Sequence, residues 1–182
     1  MRIIPTRIPE VLLVEPNVFS DSRGFFMETF RADQMMAGGV KGGFIQDNHS
    51  GSRKNALRGL HYQIRQPQGK LVRVVSGEIY DVAVDLRRTS QHFGRWVSAN
   101  LSAENKKMLW VPPGFAHGFY VLSEWAEVLY KATEYYAPEW ERCIIWNDPS
   151  INISWPIPLG TDPALSRKDA AGLKLTEAEV YE

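Results

Sequence analysis

The residues able to carry chemistry are few enough to weigh singly. They are four histidines (His49, His61, His92 and His117), one cysteine, Cys143, and a scatter of cations in a chain of no net charge. An imidazole has an ordinary pKa of about 6.5, so near neutrality it serves as a proton acceptor, a metal ligand or a satisfied core group. In Phe115-Ala-His-Gly-Phe-Tyr-Val, strand alternation puts Phe115, His117, Phe119 and Val121 on one face, a setting that also suits a purely structural histidine. In Leu57-Arg-Gly-Leu-His-Tyr-Gln the odd positions Leu57, Gly59, His61 and Gln63 share a face. Arg58 falls on the other face unless a bulge at Gly59 turns the register. Metal-binding β-barrels commonly use two histidines one residue apart, then an acid and a later histidine. Here His61 is followed by Tyr62 and Gln63, so that spacing is missing and no metal is expected.

Arg23, Arg58, Lys70 and Arg73 stand beside apolar or glycine-rich segments. Arginine forks suit bidentate phosphate contacts, and a lysine supplies a point charge. Together with Phe25, Phe26, Tyr135 and Trp140 they could hold a nucleotide diphosphate with its base stacked on a ring. Neither a Walker-type loop nor a strand–GxGxxG–helix unit is present, so a nucleotide has to be held by side chains.

These groups need a scaffold, and from about residue 44 to 147 the chain reads as one. Short runs rich in Val, Ile, Tyr, Phe and Trp are broken by Gly, Pro, Asn and Ser, the pattern of an all-β sandwich or barrel. Strands are expected over 57–64, 70–75, 78–86, 96–101, 108–111, 116–122 and 126–136. Ser76-Gly77 reads as the turn of a hairpin between the second and third of these. Arg31 to Ala37 reads as a short helix ended by Gly38-Gly39, and Ser166 to Ala171 as a helical turn capped by Ser166. The apolar stretch Val11 to Phe19 is strand-like and is a candidate for pairing across a two-fold axis, which predicts a homodimer. One domain over 1–182 is expected, with an N-terminal strand segment about 1–43, the barrel core and a C-terminal tail about 148–182 packed on it.

Composition narrows the function classes. The 182 residues carry 21 Lys plus Arg against 21 Asp plus Glu, so no global field draws the chain to nucleic acid or an anionic membrane. Hydrophobic residues at 44% and charged residues at 23% are those of a folded globular domain. A single cysteine makes no internal disulfide, MRIIPTRIPE lacks a signal-peptide core, and apolar runs are too short to span a bilayer. A cytoplasmic location is the expectation.

The motifs resemble those of a known family. They are Asp21-Ser-Arg-Gly-Phe-Phe-Met-Glu-Thr-Phe, Gln46-Asp-Asn-His-Ser, Leu57-Arg-Gly-Leu-His-Tyr-Gln and Gln68-Gly-Lys-Leu-Val-Arg-Val. Gly77-Glu-Ile-Tyr-Asp-Val-Ala-Val-Asp-Leu-Arg, Asn100-Leu-Ser-Ala-Glu-Asn, Pro113-Gly-Phe-Ala-His-Gly-Phe, Leu129-Tyr-Lys-Ala-Thr and Trp146-Asn-Asp-Pro continue the match. In this order and over nearly the whole chain, the sequence resembles the dTDP-4-dehydrorhamnose 3,5-epimerases of deoxysugar biosynthesis.

The resemblance implies a cupin-type jelly-roll β-barrel homodimer that works without metal or organic cofactor on a dTDP-linked 4-keto-6-deoxyhexose. By motif it implies His61 as general base, Asp169 in Lys168-Asp169-Ala170 as the carboxylate orienting it, Lys70 near the forming enolate oxygen, and Tyr130 as proton donor. It places Gln46, Asn48, Arg58, His117 and Lys168 in or near the sugar and phosphate site. Arg23, Phe26 and Glu28, from one subunit or its neighbour, would clasp the nucleotide, with Tyr135 and Trp140 as rings contacting the base. Asp81 matches a family acid of structural or positional role. Two alternatives stand beside double inversion: a mono-epimerase acting at C3 or C5 only, and a non-catalytic sugar-nucleotide-binding cupin.

Overall fold

The computed structural model describes residues 1–40 and 42–182. In chain order its strands are β1 (Arg2–Pro5), β2 (Leu12–Glu15), β3 (Val18–Asp21), β4 (Gly24–Met27), β5 (Gln46–Arg53), β6 (Leu57–Gln63) and β7 (Lys70–Ser76). They continue with β8 (Glu78–Asp85), β9 (Trp96–Ser102), β10 (Met108–Val111), β11 (Phe115–Val121), β12 (Trp125–Ala132) and β13 (Glu141–Cys143). Two short helices, α1 (Ala32–Ala37) and α2 (Arg167–Ala170), flank them. The strands form a six-stranded sheet in the order β1-β2-β10-β7-β12-β5 and a five-stranded sheet in the order β13-β6-β11-β8-β9, with β3 and β4 as a separate hairpin. The expected all-β jelly roll is thus present.

Alternation explains how the sheets pack. Val72, Val74, Leu109, Val111 and Val128 from one sheet meet Ile79, Ala83, Val97, Leu101, Phe115, Phe119 and Val121 from the other in one buried cluster. Each Val, Leu, Ile or Phe among them contributes about 1.5–3 kcal/mol when fully buried. The opposite face of the five-stranded sheet (Leu60, Tyr62, Val82, Val84, Ala116) is covered by the C-terminal segment through Ile144, Ile151 and Val180. The opposite face of the six-stranded sheet (Leu12, Val14, Leu71, Met108, Trp110) is covered by Met35 of α1 and by Val40. Among the described residues, no helix is long and apolar enough to cross a membrane.

Three expectations are corrected. The Ser76-Gly77 pair does not close a hairpin: β7 pairs with β10 and β12, whereas β8 pairs with β9 and β11 in the other sheet. Only Gly77 separates β7 from β8, too short for a two-residue hairpin turn, and its φ of +73° turns the chain from one sheet to the other. The stretch Val11 to Phe19 is two strands, β2 and part of β3, rather than one. Both edges of β2 are occupied within the chain, by β1 and β10, so β2 is not available to a second copy. The last expected strand also ends early, at Ala132, where Thr133 turns its N–H to Gly69 O at 3.0 Å.

Candidate active site

The inner faces of the two sheets become polar toward one end. Tyr130 on β12 pairs with Val72 on one side and with Asn48 of β5 on the other, and Ala132 pairs with Lys70 and Gln46. Paired residues project to the same face. Gln46, Asn48, Lys70 and Tyr130 therefore project with Val72 into the space between the sheets, and Tyr130 packs against the central apolar cluster. Arg73 alternates to the opposite face, away from Lys70.

On the facing sheet the decisive feature is a slip in register. His117 pairs with His61, yet two residues along β11 Phe119 pairs with Arg58, three residues back along β6. The extra residue is a bulge, and it puts Arg58 and His61 on one face with His117 and Phe119. Asp81 pairs with Phe119 and Cys143 with His61, so both share that face. Gly59 supplies the bulge: its φ is +125°, and a Cβ there would lie 2.5 Å from Gly118 Cα and 2.7 Å from His117 O. Only a glycine tolerates both conditions.

The tail completes the site. Ala164 bridges Ala56, with Leu57 N donating to Ala164 O at 3.1 Å, which leads the chain along the edge of β6. There Ser166 and Asp169 form a capping box around α2: Asp169 N donates to Ser166 Oγ at 3.1 Å and Ser166 N to Asp169 Oδ2 at 3.3 Å. Asp169, 3% exposed, also accepts from Gly59 N at 3.1 Å and from Ser166 Oγ at 2.5 Å. Its Oδ1 lies 2.7 Å from His61 Nε2, a close contact off the axis of an aligned hydrogen bond.

The electrostatics sort the groups into roles. Burial opposes charge on His61 more strongly than Asp169 favours it, and the Lys168 and Lys70 ammoniums add to the opposition, so its pKa falls below 6.5. The ring is a neutral base near pH 7. Burial works against the Asp169 carboxylate too, but contacts from His61, Ser166 and the Gly59 N–H prevail and hold it far below the usual carboxylate range. Burial pushes Lys70 down to about 8 against the pull of Glu141 and Asp81. Burial raises Tyr130 above 10, with Arg58 moderating it, so the phenol keeps its proton.

His117 is tied to Asp81, its Nε2 2.7 Å from Asp81 Oδ1, both buried. Arg58 is held by Ser52 Oγ at 2.9 Å and Gly51 O at 3.2 Å. Gln46 Nε2 donates to Asn48 Oδ1 at 3.0 Å, and Lys168 is ion-paired with Glu141. Tyr135 is exposed on the loop after β12, and Trp140 lies under the Arg65 guanidinium, 4.5 Å from the ring centroid. Arg23, Phe26 and Glu28 are not brought to these groups. Arg23 and Phe26 sit on the β3–β4 hairpin, where Arg23 pairs with Asp21 at 2.7 Å, and Glu28 follows it, 3.8 Å from Arg31.

Glu141 was not anticipated. It pairs across from Gln63, accepts from Tyr136 Oη at 2.7 Å and bears on His61, Lys70 and Tyr130 electrostatically. Its strand is only three residues long and mostly polar, which leaves no periodic signal.

The chain has counterparts among known proteins. The model of a family described as dTDP-4-dehydrorhamnose 3,5-epimerase matches residues 5–177. The chain is 56% identical over 182 residues to a Pseudomonas aeruginosa protein named dTDP-4-dehydrorhamnose 3,5-epimerase, a match covering 100% of this chain and 99% of that one. The crystal structure of a dTDP-6-deoxy-D-glucose-3,5-epimerase from Legionella pneumophila in complex with dTDP-4-keto-L-rhamnose superposes with a TM-score of 0.94. That match has 51% identity and covers 98% of this chain and 94% of that one. A 3'-monoepimerase from Streptomyces bikiniensis, in complex with dTDP-quinovose, shares the fold at a TM-score of 0.87 and 33% identity, covering 95% of this chain and 87% of that one. Matched from end to end in sequence and in fold, the chain belongs to the dTDP-4-dehydrorhamnose 3,5-epimerase family.

Proposed function

We propose that this chain inverts C3 and C5 of dTDP-4-dehydro-6-deoxy-D-glucose to give dTDP-4-dehydro-L-rhamnose in dTDP-L-rhamnose biosynthesis, with His61 as base and Tyr130 as acid. The observation that carries the reading is a neutral imidazole, backed by an ionised carboxylate, on one sheet, and a protonated phenol on the inner face of the other. C3 and C5 both flank the C4 ketone, so loss of either proton places charge on the same oxygen as an enolate. A proton returned from the opposite face inverts that carbon.

In this scheme His61 takes the proton and becomes an imidazolium that Asp169 stabilises. Lys70, charged below about pH 8, faces the enolate oxygen. Tyr130 donates from the other side, Arg58 stabilises the phenolate it leaves, and exchange with solvent removes the proton from His61 and restores one to Tyr130 before the second inversion. Incubation with the product of a 4,6-dehydratase in D2O tests this: deuterium is expected at both carbons. Deuterium at one carbon identifies a mono-epimerase, and no exchange at either defeats the enzymatic reading.

The protein is further read as a cytoplasmic homodimer. The support for a dimer is the β3–β4 hairpin, which belongs to neither sheet and exposes Phe19, Phe25 and Phe26 by 62%, 59% and 67%. A second copy would cover these rings and bring Arg23 to the nucleotide. Sedimentation is expected to show twice the 20.7 kDa chain mass, and a strictly monomeric species refutes it.

A further inference from the structure

His61, Cys143 and Asp169 converge from three elements, and one potential ligand atom of each lies within 4.8 Å of the others. His61 and Cys143 are direct cross-strand partners. The flanking pair Leu60 and Ile144 exchanges both backbone hydrogen bonds, so the His61–Cys143 pair is of the narrow, non-hydrogen-bonded kind whose side chains stand closest. Asp169 reaches the same point from α2. Among the described residues, His61 Nε2 is buried without an aligned hydrogen-bond partner, and the Cys143 thiol makes only a weak contact of 3.6 Å to Ile144 O. Imidazole nitrogen, thiolate sulfur and carboxylate oxygen form a donor set suited to a borderline-soft divalent ion in tetrahedral geometry, with one position left open.

We propose that Zn2+, or a divalent cation of similar softness, binds between His61, Cys143 and Asp169 as a reversible inhibitor. Binding expels the thiol proton to solvent, and thiolate plus carboxylate then balance the two positive charges. Of the two nearby ammoniums, Lys168 is already neutralised by Glu141. The inhibition follows from imidazole chemistry and rests on His61 acting as the base. A neutral ring offers one lone pair, so a cation on Nε2 leaves the proton on Nδ1 and no nitrogen free to accept another.

Two measurements on the full chain separate the site from the function. Co2+ added to the apo-protein is expected to give thiolate-to-cobalt charge-transfer absorption saturating at one equivalent, absent in Cys143→Ser and Cys143→Ala. Zn2+ is expected to stop deuterium incorporation by the wild type, with recovery on adding EDTA. The two Cys143 variants are expected to turn over like wild type in the absence of metal and to need about tenfold more Zn2+ or beyond for inhibition. Absence of the cobalt band overturns the proposal, as does equal Zn2+ sensitivity of wild type and both variants. A cobalt band in a protein that never exchanges deuterium supports the cation site and refutes the catalytic reading instead.

Discussion

Arg58 and His61, three residues apart on one strand, face the same side of the five-stranded sheet because the ladder with β11 slips by one residue between them. Regular alternation would have turned them to opposite faces. Gly59→Ala tests how much depends on this bulge. The added methyl meets backbone of β11 and sits at a left-handed φ, so unfolding free energy is expected to drop by about 2–4 kcal/mol in chemical denaturation. Exchange activity should fall further than the lost stability accounts for, since His61 moves with the strand.

Replacing the two proposed proton carriers should separate chemistry from binding. His61→Ala is expected to reduce deuterium incorporation at both carbons by about a hundredfold to ten-thousandfold while thymidine diphosphate binds with nearly unchanged affinity in calorimetry. Tyr130→Phe should lower kcat more than it changes KM, because in the proposed scheme the phenol donates only as the enolate collapses. Full double inversion by Tyr130→Phe would assign the acid to water or another group.

Asp169→Asn removes the charge that favours protonated His61. The acid limb of kcat/KM, expected below pH 6.5 in the wild type, should move to still lower pH in the variant, with lower activity throughout. Stability follows the carboxylate's own linkage. Its pKa is depressed in the folded protein, so its contribution is full above the unfolded value of about 3.9 and is lost as pH falls toward the folded one. Thermal melts should show wild type ahead of Asp169→Asn near neutrality and the gap closing in acid.

Lys70 predicts the alkaline limb. With its pKa pushed down to about 8 by burial, the ammonium is lost above that pH and kcat/KM of the wild type should decline there. Lys70→Gln should lose about a hundredfold in kcat and show no inflection near 8. An unchanged inflection in the variant would assign the titration to a different group.

The legible part of the fold was the part with a repeating apolar signal. β10 was read to the residue, and β6, β7, β8, β9 and β11 to within one at each end, because each strand sends apolar side chains into a buried cluster. The capped turn carrying Asp169 was also readable, since Ser166 and Asp169 stand at capping-box spacing. By contrast β5, Gln46–Arg53, has no apolar residue at all: one face lines the polar end of the interior and the other is exposed, so it carries no pattern to detect. The sheet change at Gly77 was hidden because a turn residue announces a reversal without naming the next partner. For the site, spacing alone left His61 and Arg58 on opposite faces, with a bulge at Gly59 as the open exception, and that exception is the structure's geometry. Asp169 became a candidate only through the family motif, since 107 intervening positions separate it from His61 and no local rule spans them.

That separation also orders events in time. A chain emerging from the ribosome owns all thirteen strands described above before it owns the carboxylate on α2. Until those last residues arrive, Gly59 keeps an unanswered N–H and the imidazole an unsupported face. On the role proposed for Asp169, catalytic competence is thus a late acquisition of synthesis, and a protease that nicks between β13 and α2 is expected to disarm the enzyme while leaving its barrel strands uncut.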